Sequence, residues 1–241
     1  MLFTTGYEVP LSPRRAEPTV LLDGNQIGVE HRFFGTSRPA TVDWSHLTVR
    51  QAAEDHHRVV RLFRGLYRGN WVSTGGSKGG MASVHHRRFH PDDVDGTSRT
   101  PRRTTSTTAR TPPTCGSSTE LYRWLEATAL LAAYTDPVVE QHGPHFCQLG
   151  TQLGYYDVRT AHLTGLLRHP DAVEPRDLVP RDIPMRFDRR AMPDVDRWVR
   201  RRGSRLLFVN GDQDRPPPST SVSAPAPVTP ASTGRPASVT T

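Results

Sequence analysis

Thr74-Gly75-Gly76-Ser77-Lys78-Gly79-Gly80 lies between an apolar pair, Trp71-Val72, and small residues, Ala82 and Ser83. It contains G-x-S-x-G, with Gly75, Ser77 and Gly79 in the fixed places. In that pattern a strand ends in a very sharp turn, and a side chain two residues either side of the serine would collide with its surroundings. The serine hydroxyl is left exposed at the strand tip, near the positive end of the following helix. The amide of the next residue, Lys78, becomes a donor for an oxyanion. The bare pattern is weak, since it arises by chance at about one position in three thousand. Its setting strengthens it: a β-type run precedes, and Gly80, Ala82 and Ser83 allow a helix to pack closely on a strand. A phosphate loop of the G-x-x-x-x-G-K-[ST] type is excluded, because Gly79 follows Lys78.

Outward from the turn, strand and helix signals alternate. Leu2 to Thr5 predicts a short strand, and Thr19–Leu22 and Ile27–Phe34 predict strands around an Asp23-Gly24-Asn25 turn. Val49, Ala52, Val59, Phe63 and Leu66 keep helical spacing over Thr48 to Leu66. Trp71 to Thr74 predicts the strand that enters the turn, and a helix over Gly79 to His90 leaves it, stopped by Pro91. A helix follows over Leu121 to Tyr134, and 136–190 mixes short helical stretches with turns. A last helix from Pro193, the first helical position, ends before Gly203, and Arg205 to Asn210 predicts a strand. This alternation implies an α/β fold of the α/β-hydrolase type, a mostly parallel sheet with a helical lid.

Two segments depart from the pattern. Thr97 to Thr119 carries Arg99, Arg102, Arg103 and Arg110 with no acid. Arg215 to Thr241 is a Pro/Ser/Thr/Ala tail with Arg215 and Arg235. By composition neither can bury enough apolar surface to offset its chain entropy. They hold +6 of the net +7, so the basic excess belongs to them and not to a folded basic face. A nucleic-acid partner is therefore the weakest reading, and flat affinity across a salt series would dismiss it. No run approaches the roughly 18 apolar residues of a membrane helix. Met1 to Gly6 reads as a strand entered midway and not as a signal peptide. Cys115 and Cys147 set neither a disulfide framework nor a metal pattern.

A serine nucleophile of this type is followed in chain order by an acid and then a histidine. Asp214, just past the last predicted strand, stands where the acid belongs, with Asp212 as its alternative. Asp92, Asp93 and Asp95 read as helix-end and loop residues. The last of the eleven histidines is His169, so none follows Asp214. His31, His46, His56, His57, His85 and His86 are poor candidates from their positions, while His142, His145, His162 and His169 read as surface residues of the lid. Without a base the hydroxyl is a weak nucleophile at neutral pH.

Several stretches together carry a resemblance. They are Thr4-Thr5-Gly6-Tyr7, Pro13-Arg14-Arg15-Ala16-Glu17-Pro18-Thr19, Asp23-Gly24-Asn25-Gln26, Glu30-His31-Arg32-Phe33-Phe34-Gly35, Ser37-Arg38-Pro39 and Gly75 to Met81. Further along, Gln152-Leu153-Gly154 and Arg186-Phe187-Asp188 extend it. The sequence resembles the PS-10 peptidase family, secreted bacterial tripeptidyl aminopeptidases of the α/β-hydrolase superfamily. The resemblance implies Ser77 as nucleophile, Asp214 as acid, and Tyr7 at the loop that supplies the second oxyanion donor. It also implies an acidic group for the substrate amine, for which Glu30 is a weak candidate against an ordinary ion pair. Peptide or protein substrates, no cofactor or metal, no membrane or nucleic acid, a monomer and secretion are the expectations.

The resemblance implies a core strand directly after Val94-Asp95-Gly96 and a histidine after Asp214, where the two odd segments stand. Those segments accordingly read as out-of-frame translation, and Lys78 as the sole lysine suits a GC-rich gene. Alternative frames of the coding DNA should encode the strand and the histidine. The expected organisation is then 1–96, the front of the core with the elbow; 97–119, disordered or out of frame; 120–190, a lid; 191–214, the rear of the core; and 215–241, a tail. A serine peptidase by ancestry, expected to be inactive in this chain because the histidine is missing, and a non-catalytic remnant are the two leading readings of function.

Overall fold

The structure, a computed structural model, describes residues 1–100, 117–129, 135–155, 161–168 and 174–209. Five short strands pair in parallel: β1 (Leu2–Thr4), β2 (Ile27–Val29), β3 (Val72–Gly76), β4 (Gly96–Thr100) and β5 (Leu206–Phe208). Their order is β2-β1-β3-β4-β5. The chain builds outward from β1 to β2, returns to the far side of β1 with β3, and continues outward from there. The order thus reverses between β1 and β3, and in open parallel sheets the crevice at the carboxyl ends of such a pair is where ligands bind. Ser77 directly follows β3, and Thr5 to Glu8 directly follow β1. The fold is α/β-hydrolase-like.

The helices α1 (Glu17–Leu21), α2 (Val49–Arg64), α3 (Lys78–Phe89), α4 (Ser118–Ala129), α5 (Asp136–Gln148) and α6 (Ala191–Arg202) complete the order. α2 starts where Thr48 caps it, its Oγ1 accepting from the amide of Gln51 at 3.1 Å. It buries Val49, Ala52, Ala53, His56 and Val60, a stripe at helical spacing. Leu2, Val60, Trp71 and Val94 form one core cluster, with Ile27, Val29, Val59 and Phe63 packed against it. A second cluster joins Phe33 and Leu47 to Cys147, Val179 and Ile183. Burying each such side chain contributes about 1.5–3 kcal/mol. Burial pushes the Cys147 thiol up to about 11, so it packs as an apolar residue. Among the described residues no helix is long and apolar enough to cross a membrane.

Three elements differ from the sequence expectation. Thr19–Leu22 is not a strand; Thr19 to Leu21 belong to α1, which has a proline in its first turn. Gln26 Oε1 accepts from the Ala16 amide (2.7 Å) and from Thr19 Oγ1 (2.8 Å), folding the segment on itself. The local bonds win because Val20, Leu21 and Leu22 lie exposed and have no sheet face to fill. β2 ends at Val29, well short of Phe34, and Phe33 turns with φ 68°. α6 begins at Ala191, which puts Pro193 at its third residue instead of its first.

The largest difference is β4. The segment from Thr97 onward is expected to be unstructured, and a core strand is expected to be missing after Gly96; yet Gly96–Thr100 is that strand, paired with β3 and β5. Its composition, Gly-Thr-Ser-Arg-Thr, hides it. Thr97 and Ser98 are buried, but Thr97 Oγ1 shares a hydrogen bond with Ser73 Oγ (2.9 Å) and Ser98 Oγ donates to Thr74 Oγ1 (2.8 Å). Hydroxyls bonded across neighbouring strands avoid the cost of burying unpaired polar groups. The rest of that expected segment, from 101 to 116, lies outside the described residues, as do Cys115 and the tail.

Candidate active site

Ser77 stands between β3 and α3 with φ 52° and ψ −124°, a backbone state that L side chains rarely adopt. Two bonds hold it there: its amide donates to the Thr100 carbonyl (3.2 Å), and its carbonyl accepts from the Met81 amide (3.1 Å). The residue is only half-buried, so its side chain is accessible. The glycines are needed for the reason the motif implies. A Cβ on Gly75 would stand 2.5 Å from both the Thr4 carbonyl oxygen and the Gly79 carbonyl carbon. One on Gly79 would run into the Thr4 carbonyl oxygen and come within 2.8 Å of that of Thr5. Thr4 Oγ1 completes the junction, bonding to the Gly79 carbonyl (2.6 Å) and to Ser83 Oγ (2.7 Å). The elbow is thus packed, backbone on backbone, against the end of β1.

Lys78 is the first residue of α3, so its amide has no intrahelical acceptor and is available to a developing oxyanion. Tyr7 lies opposite, on the loop after β1, but its amide donates to Thr5 Oγ1 at 3.2 Å. The Thr5 hydroxyl in turn bonds to the Tyr7 carbonyl at 2.5 Å. Tyr7 thus lies on the loop after β1, and its amide would have to leave Thr5 to be available to an oxyanion. Asp214 and Asp212 lie outside the described residues, as does His169.

The side chain of Lys78 is a feature the motif does not announce. It is buried, its ammonium donates to the Gly6 carbonyl (2.7 Å), and it lies 4.5 Å from the ring centre of Phe34 and 5.0 Å from that of Tyr7. Tyr7 also meets Phe34 edge-on at 5.5 Å and His145, from α5, at 5.3 Å. Lys78 so ties the elbow to the loop that carries Tyr7. Burial pushes its pKa down to about 7, against the pull of Glu8. Burial first, and then the Lys78 charge, also push His85 and His145 down to about 4 and His31 well below its ordinary value. Burial and the nearby charge thus disfavour the protonated form of all three rings. Among the described residues no hydrogen bond joins the Ser77 hydroxyl to a histidine.

The Lys78 shift has a testable sign. Unfolded, the lysine keeps its proton to about pH 10.5; folded, it releases it near 7. Between those values the unfolded chain binds the extra proton, so this group makes stability rise with pH across that window. Below pH 7 both states are protonated and the burial penalty is fully present. Lys78→Met retains the amide and is expected to flatten the rise, read as urea midpoints at pH 7, 8 and 9. An unchanged slope would refute the assignment.

Glu30 serves the loop and not an ion pair. Its carboxylate accepts from the amides of Ser37 (2.8 Å) and Val9 (3.3 Å) and from Thr36 Oγ1 (3.1 Å). Burial works against its charge, but the bonds from Ser37, Val9 and Thr36 prevail and lower its pKa. Neighbouring Arg32 pairs instead with Asp55, at 2.7 Å.

The family model described as PS-10 peptidase S37 matches residues 1–103 and again 101–220. The chain belongs to the PS-10 peptidase S37 family. Among curated proteins it is similar to the prolyl tri/tetrapeptidyl aminopeptidase of Streptomyces mobaraensis, at 34% identity over 295 aligned positions. That alignment covers 89% of this chain and 62% of the relative, so the chain spans less than two thirds of its relative's length. No solved structure matches. Within this S37 chain the elbow, the Gly6–Tyr7 loop and β4 all fall in the first matched stretch. Phe34 is not singled out as a site residue in the sequence, and His145, expected at the lid surface, is instead half-buried against Tyr7. Phe34 and Gly6 lie within quoted family stretches, whereas nothing in local pattern brings His145 to Tyr7.

Proposed function

We propose that this chain is a serine peptidase of the tri/tetrapeptidyl aminopeptidase type, releasing short peptides from free N-termini through an acyl-enzyme on Ser77. Ser77 Oγ would attack the scissile carbonyl as its proton passes to a histidine that Asp214 orients, a base that no described residue supplies, while the amides of Lys78 and Tyr7 receive the oxyanion. The named relative is a prolyl enzyme, and we extend to this chain a preference for proline at the cleaved residue. Secretion and action as a monomer belong to the same proposal. The observation that carries it is the Ser77 backbone, held at φ 52° beside glycines that no other residue could replace.

A second reading is favoured by a separate observation. Among the described residues no histidine bonds to the Ser77 hydroxyl, and burial holds His85 and His145 down at about 4. On that reading the chain is a non-catalytic remnant that keeps the elbow. A fluorophosphonate probe separates the two. Labelling that Ser77→Ala removes, with release of tripeptides from free but not acetylated N-termini, supports the peptidase. A folded protein, by circular dichroism, that takes no label supports the remnant.

A further inference from the structure

Between α2 and the C-terminal end of α3, three histidines gather near one carboxylate. Asp93, in the turn before β4, accepts from His57 Nδ1 (2.8 Å) on α2 and from His86 Nε2 (2.8 Å) on α3. His90, directly after α3, stacks on His57 with ring centres 4.0 Å apart. His90 Nε2 also lies 3.2 Å from Glu54 Oε1. One donor atom from each of His57, His90 and Asp93 lies within 4.8 Å of the other two. No role in acyl transfer uses any of these groups.

We propose that His57, His90 and Asp93 form a binding site for a divalent zinc-class ion, Zn²⁺, with Glu54 or water as the fourth ligand. Two imidazoles and a carboxylate are a donor set for zinc, whereas calcium and magnesium take oxygen-rich shells. Bonds of about 2.0–2.1 Å need ligand atoms near 3.3 Å apart, so spacings of up to 4.8 Å have to close by up to about 1.5 Å, while His57 Nδ1 and Asp93, 2.8 Å apart, have to part slightly. The site also has to lose the ring stack, because two parallel imidazoles cannot both aim a lone pair at one ion. The side chains permit that: His57 is 26% exposed and His90 18%, so either ring can turn about its Cβ–Cγ bond. His86 is fully buried and cannot turn so readily. Its bond to Asp93 instead holds the carboxylate in place, the supporting role that metal ligands commonly require. The ion would pin α2 to the turn that leads from α3 into β4, and so would brace the elbow helix from behind.

The test is zinc binding by the full 241-residue chain, stripped with EDTA, in isothermal titration, with Mg²⁺ as comparator. One Zn²⁺ per chain is expected, with at least tenfold weaker binding in His57→Gln and in His90→Gln, and unchanged binding in His162→Gln. Cobalt(II) loaded in place of zinc should give intense visible bands of a tetrahedral site, lost in the same two variants. Both variants sit at partly exposed positions, and circular dichroism checks that they fold. No stoichiometric zinc, equal binding of Mg²⁺, or zinc affinity unchanged in both variants would overturn the proposal. These outcomes are independent of whether Ser77 is active.

Discussion

Gly79→Ala is expected to destabilise the protein by about 3 kcal/mol or more, at the upper end of what overpacking costs. The added methyl would meet the carbonyl oxygens of Thr4 and Thr5, and neither can move without displacing the end of β1. A flexible side chain could swing away, but two backbone carbonyls at the end of β1 cannot. The loss is a large share of the roughly 5–15 kcal/mol that separates a folded domain from its unfolded state. Gly24→Ala is the matched control, since nothing lies within 4 Å of a Cβ there. It should change stability by no more than about 0.5 kcal/mol. Urea unfolding of both variants makes the comparison, and equal midpoints would mean that β1 and the elbow are not packed as described.

The same close packing explains why the elbow was legible in the sequence. Gly75 and Gly79 are dictated by backbone sterics, and sterics leave a signature in residue identity at fixed spacing. The helix α2 was legible for a similar reason, because one buried stripe imposes a period on Val49 and Ala52, although Val60 and not Val59 is its fully buried member and Leu66 lies exposed past the helix end. β4 was not, because its stability comes from hydroxyls bonded across strands, and Thr97 and Ser98 spell a loop until Ser73 and Thr74 stand beside them. α1 misled in the opposite way: Thr-Val-Leu-Leu favours a strand, but β-propensity expresses packing on a sheet face, which that segment lacks. In the site, the Lys78 side chain and His145 meet at Tyr7 only through tertiary contacts. Local pattern carries no trace of such meetings. Asp214 was placed by chain order and by the family resemblance, and it lies outside the described residues.

Ser77 itself allows a test in which function and stability move in opposite directions. Its φ of 52° is costly for any residue with a Cβ, by roughly 1–3 kcal/mol, and is nearly free for glycine. Ser77→Ala removes the nucleophile and keeps that strain; Ser77→Gly removes the nucleophile and relieves it. Both variants are expected to lose all fluorophosphonate labelling and all peptide release. In an active enzyme, removing the nucleophile of such a triad costs on the order of a million-fold in turnover. Only Ser77→Gly should also gain stability, by about 1 kcal/mol over Ser77→Ala once glycine's greater freedom in the unfolded chain is set against the relief. A residue selected for packing would show the reverse, since glycine at an ordinary backbone position is the less stable choice. If the two variants unfold at the same urea concentration, the backbone at Ser77 is not strained and the elbow reading fails. If Ser77→Gly is the more stable, the chain carries strain at the one residue whose hydroxyl the proposed chemistry needs, which is what a site kept for reactivity at a cost in stability requires.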